Sequence, residues 1–284
     1  MTQISIAVPV FNGETMLREA LECLRAQTFR DFEVLILDNC STDGTHAIAQ
    51  SFVDQDPRFR LITQPTNIGA MANFTSGLRA ATAPFFLWRA FDDVTDDRYL
   101  ELLHDALIRD ERKVLATGLI RTMLLDGARD RIFNLPKLGG GELSDIRTLL
   151  FECHAGWFYG LWRREPLLEV WEDMLPSFPY PWASDHLVMF AFLIDRTVAF
   201  EERTTFIKYH KRRDGDPRDP TRPPAAEMMQ YRREFSAWCE QRIDRTFKDR
   251  AFMRRALHIL LFFYVNKRVY RLTTIARRWI AERF

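Results

Sequence analysis

The sequence is short of the features that would place it in a simple class. Its 284 residues include only four cysteines, Cys23, Cys40, Cys153 and Cys239, scattered and without a C-x-x-C pair. That argues against a disulfide framework and a zinc knuckle, and a reducing compartment is the expectation. With 12 glycines and 13 prolines, the chain is too poor in both to be collagenous or low in complexity. No apolar run reaches the roughly 18 residues that a membrane-spanning helix needs. Met1 is followed by polar residues and a short apolar run rather than by a secretory leader, so a cytoplasmic location is expected. What remains is ordinary globular composition, 47% hydrophobic and 28% charged. The length suits one large domain, or one domain with an appendage.

The formal net charge of +1 hides an asymmetry. Residues 203–284 carry 21 Lys and Arg against 9 Asp and Glu, while the remainder holds 19 against 30. An acidic body with a basic tail suggests that the tail meets something anionic. Within the tail, Arg254 and Arg255 precede a short apolar stretch. Lys267, Arg268, Arg271, Arg277, Arg278 and Arg283 then interleave with Val269, Leu272, Ile275, Ile280 and Phe284. A basic amphipathic helix of this kind reads as a membrane-surface element, with 250–284 as the contact. Packing on the core or on a second subunit is the alternative. Nucleic acid is not expected, because no recognition motif accompanies the charge.

Along the chain, short β-branched and aromatic runs alternate with helical periodicity. Strands are expected at residues 4–10, 32–37, 59–62 and 84–88, with helices between them. The alternation implies an α/β fold with a mostly parallel sheet flanked by helices. Ligands of such sheets bind beyond the carboxyl ends of the strands. Here those ends carry Phe11–Gly13, Asp38–Gly44 and Ala90–Asp93. Further on, a helix is expected near 98–110, strands at 114–120, 157–162 and 204–210, and a helix at 185–194. Residues 211–224 read as a mobile, charged, Pro-rich loop, and 225–284 as a helical extension with basic faces.

Asp92 and Asp93 are adjacent carboxylates at the end of a buried strand. Such a pair is costly unless cations or hydrogen bonds compensate it. Mg²⁺ and Mn²⁺ favour a few carboxylates together with phosphate oxygens, so the pair suits a metal bridging a diphosphate. A helix N-cap would also satisfy it. The run of acids from 92 to 97 has the look of the Asp-rich motif of terpene synthases, but that motif belongs on a helix in an all-helical protein. In the loop 38–45, capping explains Thr42 and Asp43 but not Asp38, which at the strand end can accept from a base N–H or a ribose hydroxyl.

Taken together, Ala7-Val8-Pro9-Val10-Phe11-Asn12, Gln27-Thr28-Phe29-Arg30-Asp31-Phe32-Glu33-Val34, Asp38-Asn39-Cys40-Ser41-Thr42-Asp43-Gly44-Thr45, Asn67-Ile68-Gly69 and Asp92-Asp93 resemble the family 2 glycosyltransferases in order and spacing. The motifs cover about residues 3–100. The likeness continues more weakly through Tyr159–Arg164 and Trp182–His186. It implies a GT-A-like, Rossmann-related fold over 1–210, with a nucleotide-sugar half (1–97) and an acceptor half (98–210). It also implies a UDP- or dTDP-linked sugar donor, a divalent Mn²⁺ or Mg²⁺, a glycan or lipid-linked acceptor and inversion at the anomeric carbon. By position, Pro9, Val10, Phe11, Asn12, Asp38, Asn39, Asn67, Gly69 and Asp92 would contact the nucleotide sugar. Asp93, Asp92 and His210 would hold the metal. Asp185 would be the general base. The chain departs from the family form at Ala90, where another Asp is common.

Asp185 could instead cap the helix it precedes, with Ser184 competing for that cap. Among Trp157, Trp162, Trp171 and Trp182, core packing is expected first for Trp162, while Trp182 is open to a sugar. A nucleotidyltransferase would bring a Gly-rich, basic loop after the first strand, and Phe11-Asn12-Gly13-Glu14 is neither. A protein that binds a nucleotide sugar without transferring it is the remaining rival.

Overall fold

The computed structural model describes residues 2–124, 130–210 and 223–283. The expected loop at 211–224 therefore lies almost wholly outside the described residues. By compactness the chain forms two units. One comprises Met1–Leu135, His154–Glu169 and Thr197–Lys211, and the other Pro136–Cys153, Val170–Arg196 and Arg212–Phe284. The C-terminal helices thus share a unit with 136–153 and 170–196.

The first unit holds the whole described sheet. Its opening elements are β1 (Ile4–Val10), α1 (Leu17–Arg25), β2 (Phe32–Asp38), α2 (Thr45–Gln55), β3 (Phe59–Thr63), α3 (Ala70–Ala80) and β4 (Phe85–Trp88). All seven residues of β1 and all four of β4 are buried, as an apolar run covered on both sheet faces requires. Pairing is parallel in the order β3-β2-β1-β4. Moving outward from β1 to β2 to β3 and then back across to β4 reverses the direction of travel. Right-handed crossovers therefore put α3 on the face opposite α1 and α2. The reversal opens a crevice between β1 and β4 at their carboxyl ends.

The remaining strands are β5 (Asp93–Thr95), β6 (Leu115–Leu124), β7 (Asp130–Phe133), β8 (Leu161–Arg163) and β9 (Val198–His210), with α4 (Tyr99–Arg109) before β6. They extend the order through β4-β8-β6-β9-β5, with β7 beside β6. The β4–β8, β8–β6 and β9–β5 pairs are antiparallel. This α/β architecture is the expected one, with antiparallel additions on one side.

Three local expectations need correction. Residues 157–162 do not form one strand. Ala155–Tyr159 is a 3₁₀ turn whose start is capped by His154, and only Leu161–Arg163 is extended. Gly160 marks the break, since a Cβ there would lie 2.3 Å from the Ala116 carbonyl oxygen. The last strand begins at Val198 rather than 204, because a bulge hides its continuity. Gly118 pairs with Glu201 and Leu119 with Thr205, leaving 202–204 outside the ladder. Finally, β5 was not foreseen.

The second unit contains α5 (Glu142–Glu152), α7 (Ser184–Ile194), α8 (Ala225–Thr246), α9 (Ala251–Arg268) and α10 (Leu272–Ala281); α6 (Arg164–Met174) precedes α7. Nine of the eleven residues of α7 are buried. No helix among the described residues is long and apolar enough to cross a membrane.

α3 lies unusually close to the sheet. A Cβ on Gly77 would sit 2.7 Å from the Ala7 Cβ and 3.4 Å from a Leu37 methyl. Gly77→Val should therefore destabilise the fold by about 1–3 kcal/mol through overpacking. That is opposite in sign to the gain from helix propensity. Urea denaturation measures it, and a stabilised variant would mean that α3 can move away from β1.

Candidate functional site

The sheet unit brings most of the motif residues to one edge. Val10 pairs with Asp38 across β1 and β2, and Ala7 with Trp88 across β1 and β4. The loops that leave these three strands are therefore neighbours. Two of them satisfy each other's backbone groups. The Asn12 N–H donates to Ser41 Oγ at 3.0 Å, and the Thr42 N–H donates to Asn12 Oδ1 at 2.9 Å. Gly13 donates to Thr45 Oγ1 at 2.8 Å, Glu14 to Asp43 Oδ2 at 3.2 Å, and Gly44 back to Glu14 Oε2 at 2.7 Å. Asn12 and Cys40 have φ of +50° and +62°, strained for residues with a Cβ and tolerated where surrounding contacts fix them. The third loop touches the first. A Cβ on Gly13 would lie 2.7 Å from the Phe91 ring, so only glycine admits that ring.

Between the first two loops and the start of α3 lies a pocket of about 210 Å³. It is lined by Pro9, Val10, Phe11, Asn39, Asn67, Ala70, Asn73, Phe74 and Phe91. The sequence singled out the first five of these residues. Ala70, Asn73 and Phe74 were not anticipated, because a helix's contribution to a pocket wall has no local signature; Phe91 belongs to the expected loop Ala90–Asp93 but was not itself singled out. Asn39 and Asn67 are held in place. Asn39 Nδ2 donates to Asn67 Oδ1 at 3.0 Å, Asn39 Oδ1 accepts from Ile68 N–H at 2.9 Å, and Asn67 Oδ1 accepts from Gly69 N–H at 2.9 Å. Gly69 has φ of +82°, which suits glycine. Asn73 donates to the Leu37 carbonyl at 2.9 Å. The walls are thus apolar faces and fixed amides, the usual composition of a small-molecule site.

Asp38 does not line this pocket. It is 1% exposed, accepts from Ser41 N–H at 3.0 Å and faces His46 Nδ1 at 3.4 Å. The Ser41 N–H thus engages one of its oxygens within the loop, and as expected it caps no helix. Asn12, Gly69 and Asp92 likewise lie outside the lining.

Asp93 is the most unusual group. It is 1% exposed because β5 pairs it with Lys208 on β9. Oδ1 accepts from the Tyr209 N–H at 3.2 Å, while Oδ2 has no hydrogen-bond partner among the described residues. Lys208 Nζ stands 3.7 Å from Oδ2. Burial pushes the Asp93 carboxyl up to about 6. The Asp92 charge adds to the rise, while Lys208 and Arg89 oppose it. Arg89 is fully buried, donates to Thr95 Oγ1 at 3.3 Å, and lies 5.3 and 5.4 Å from the ring centroids of Tyr99 and Phe206. Its Nε and Nη1 have no partner among the described residues. The sequence reading passed over Arg89 and Lys208. The one available signal was a charged residue directly following the buried apolar run of β4.

In the helical unit, Asp185 sits in the first turn of α7. The N-cap is Ala183, with φ of +63° and no side-chain cap, while Ser184 Oγ donates to the Pro181 carbonyl at 3.2 Å. Asp185 is therefore not the cap; its Oδ1 accepts from the next N–H, that of His186, at 2.7 Å. Trp182 is 39% exposed and stacks on Tyr270 with centroids 5.1 Å apart. Trp162, in the sheet unit, is fully buried.

A family model, glycosyl transferase family 2, matches residues 5–160. The chain belongs to this family. It is 28% identical over 112 residues to glycosyltransferase GlyG of Streptococcus pneumoniae, covering 39% of this chain and 37% of that protein. It is 31% identical over 108 residues to the GalNAc(5)-diNAcBac-PP-undecaprenol beta-1,3-glucosyltransferase of Campylobacter jejuni, covering 38% and 33%. The chain thus spans about a third of the length of these curated relatives. Among solved structures it resembles S. aureus TarS 1-349 in complex with UDP-GlcNAc. There the TM-score is 0.68 at 19% identity, covering 98% of this chain and 79% of that one. It also resembles the mannosyltransferase PcManGT of Pyrobaculum calidifontis in complex with GDP-Man and Mn²⁺. There the TM-score is 0.54 at 15% identity, covering 99% and 75%. These likenesses support the GT-A architecture.

The acidic pair fits a divalent cation. Two adjacent hard carboxylates, one with an unpartnered buried oxygen, supply what Mg²⁺ or Mn²⁺ takes from a protein when phosphate and water complete the shell. No cluster of three or more ligating side chains occurs among the described residues. The His210 side chain, named above as a third ligand, lies outside them.

The raised Asp93 carboxyl has a stability consequence. The folded chain binds this proton more tightly than the unfolded chain does. Its stabilising effect is full below the ordinary value of 3.8 and is lost as pH rises through about 6. Asp93→Asn should therefore raise the melting temperature of the unliganded chain at pH 8, by at most about 3 kcal/mol in stability. The gain should vanish below about pH 4. Thermal scans at both pH values measure this, and a variant less stable at pH 8 would mean that the Lys208 pair outweighs desolvation.

Proposed function

We propose that the protein transfers one sugar, with inversion, from a UDP- or dTDP-linked donor to a hydroxyl of a glycan or lipid-linked acceptor. The observation that carries this reading is the shared edge of the sheet unit. There the pocket lined by Pro9, Phe11, Asn39 and Asn67 lies beyond the same strand ends as the Asp92-Asp93 pair. An apolar slot with fixed amides suits a nucleobase and ribose, and carboxylates beside it suit the metal of a diphosphate. Family membership supports the reaction class. The likeness to a protein named for a PP-undecaprenol substrate supports a lipid-linked acceptor.

In this reading Pro9, Val10, Phe11, Asn12, Asp38, Asn39, Asn67, Gly69 and Asp92 hold the nucleotide sugar. Residues 1–97 form the donor half, 98–210 the acceptor half, and 225–284 the basic extension. Asp92 and Asp93, with His210 as a further ligand, would hold a Mn²⁺ or Mg²⁺ that would supply the positive charge a leaving diphosphate needs. Asp185 accepts the proton of the acceptor hydroxyl as that oxygen bonds to the anomeric carbon from the face opposite the diphosphate. The bond to the diphosphate breaks in the same displacement. The strained Ala183 at the head of α7 holds backbone geometry just ahead of this carboxylate. A lipid-linked acceptor places the enzyme at the cytoplasmic membrane face.

The test begins with a thermal-shift screen of nucleotide sugars with and without Mn²⁺, since a ligand of the native state raises its melting point. Asp185→Asn should keep donor affinity and lower transfer, read as nucleotide release, by on the order of 10²-fold or more. Asp93→Ala should abolish the Mn²⁺-dependent part of donor affinity. Donor binding with no transfer to any acceptor would make the protein a binding module. Unchanged turnover in Asp185→Asn would place the base elsewhere.

A further inference from the structure

α9 is apolar on the side that packs and also on the side that does not. Met253, Leu257, Leu261, Tyr264 and Val265 are buried within the helical unit. On the opposite side, Phe252 is 75% exposed, Ile259 64%, Phe262 57% and Phe263 54%. At helical spacing these four project away from the buried stripe, and Phe262 and Phe263 meet edge to face at 5.4 Å. A helix that is apolar all round is normally covered on every side. α10 differs in having a single apolar face. Leu272 and Trp279 flank the buried Ile275 at helical spacing and are 41% and 45% exposed, and Ile280 is 52% exposed. The Arg283 guanidinium lies 3.7 Å from the Trp279 ring centroid.

Charge selects what covers these faces. Residues 251–284 carry eight Lys and Arg against the single acid Glu282. A second copy docking face to face would bring like charges together. A bilayer with anionic headgroups complements both the charge and the exposed aromatics, which favour the headgroup boundary. No described helix can cross the bilayer, so the contact is with its surface. We propose that α9 and α10 lie on an anionic phospholipid surface. Phe252, Ile259, Phe262 and Phe263 enter the acyl boundary, and residues such as Arg255 and Arg277 meet headgroup phosphates. This extends the membrane location proposed above to named residues, but it rests on the helical unit alone and stands apart from the transfer reaction.

The test is flotation of the full chain with vesicles of phosphatidylcholine alone and of phosphatidylcholine mixed with phosphatidylglycerol. UDP affinity is measured in parallel. The wild type should bind the mixed vesicles preferentially, less so at high salt. The triple variant Phe252→Ser, Ile259→Ser, Phe263→Ser should lose on the order of tenfold or more in vesicle affinity with UDP binding unchanged. Arg255→Glu with Arg277→Glu should erase the preference for phosphatidylglycerol. No flotation of the wild type, or equal flotation of the triple variant, would overturn the proposal and leave the donor site untouched. So would a dimer in sedimentation velocity that the triple variant dissociates, because it would assign the face to a second copy.

Discussion

The loops after β1 and β2 are ordered mainly by each other. Five backbone N–H groups in residues 12–14 and 41–45 donate across to side chains of the other loop, groups that a surface loop would otherwise leave to water. The parallel register of β1 on β2 sets the two loops side by side, and the cross-bonding then fixes their shape. The pocket inherits its rigidity from this arrangement, since Phe11 and Asn39 flank the bonded segments. Left-handed backbone at Asn12 and Cys40 is the local cost, and it is maintained because both loops must distort together.

Beside this ordered rim, the acidic pair is only partly compensated. Asp93 is drawn into the sheet by its pairing with Lys208, yet among the described residues one oxygen has no donor. Two cations, Lys208 and Arg89, moderate its charge without saturating it. Arg89 lies near two aromatic rings, and two of its nitrogens have no partner among the described residues. Such a cluster, with buried charges only partly compensated, costs stability in isolation.

Much of this was legible in the sequence, for physical reasons. Strands covered on both faces appear as uninterrupted apolar runs, so β1, β2 and β4 could be read directly, and the turn chemistry of Asn12-Gly13 and Ser41–Gly44 marked where they end. The family resemblance rested on those same loops. What escaped notice was non-local. β5 is three residues long and begins with an acid, and it exists only because β9 lies beside it. The bulge at 202–204 broke the apparent continuity of β9, and the 3₁₀ turn at Ala155–Tyr159 shares the apolar composition of a strand. The contribution of α3 to the pocket depends on how tightly Gly77 lets that helix approach β1.

The family match ends at residue 160, but the helical unit does not respect that border. The carbonyls of Leu150 and Phe151, in the last turn of α5, are capped by the side chains of Lys267 and Arg268 from the end of α9. The Tyr264 hydroxyl donates to the His186 carbonyl in the first turn of α7. Trimming the chain to the family-matched residues would bare helix ends and strip a buried seam at once. Swapping modules among relatives would have to carry the terminal helices along with the segments they brace, as a single graft.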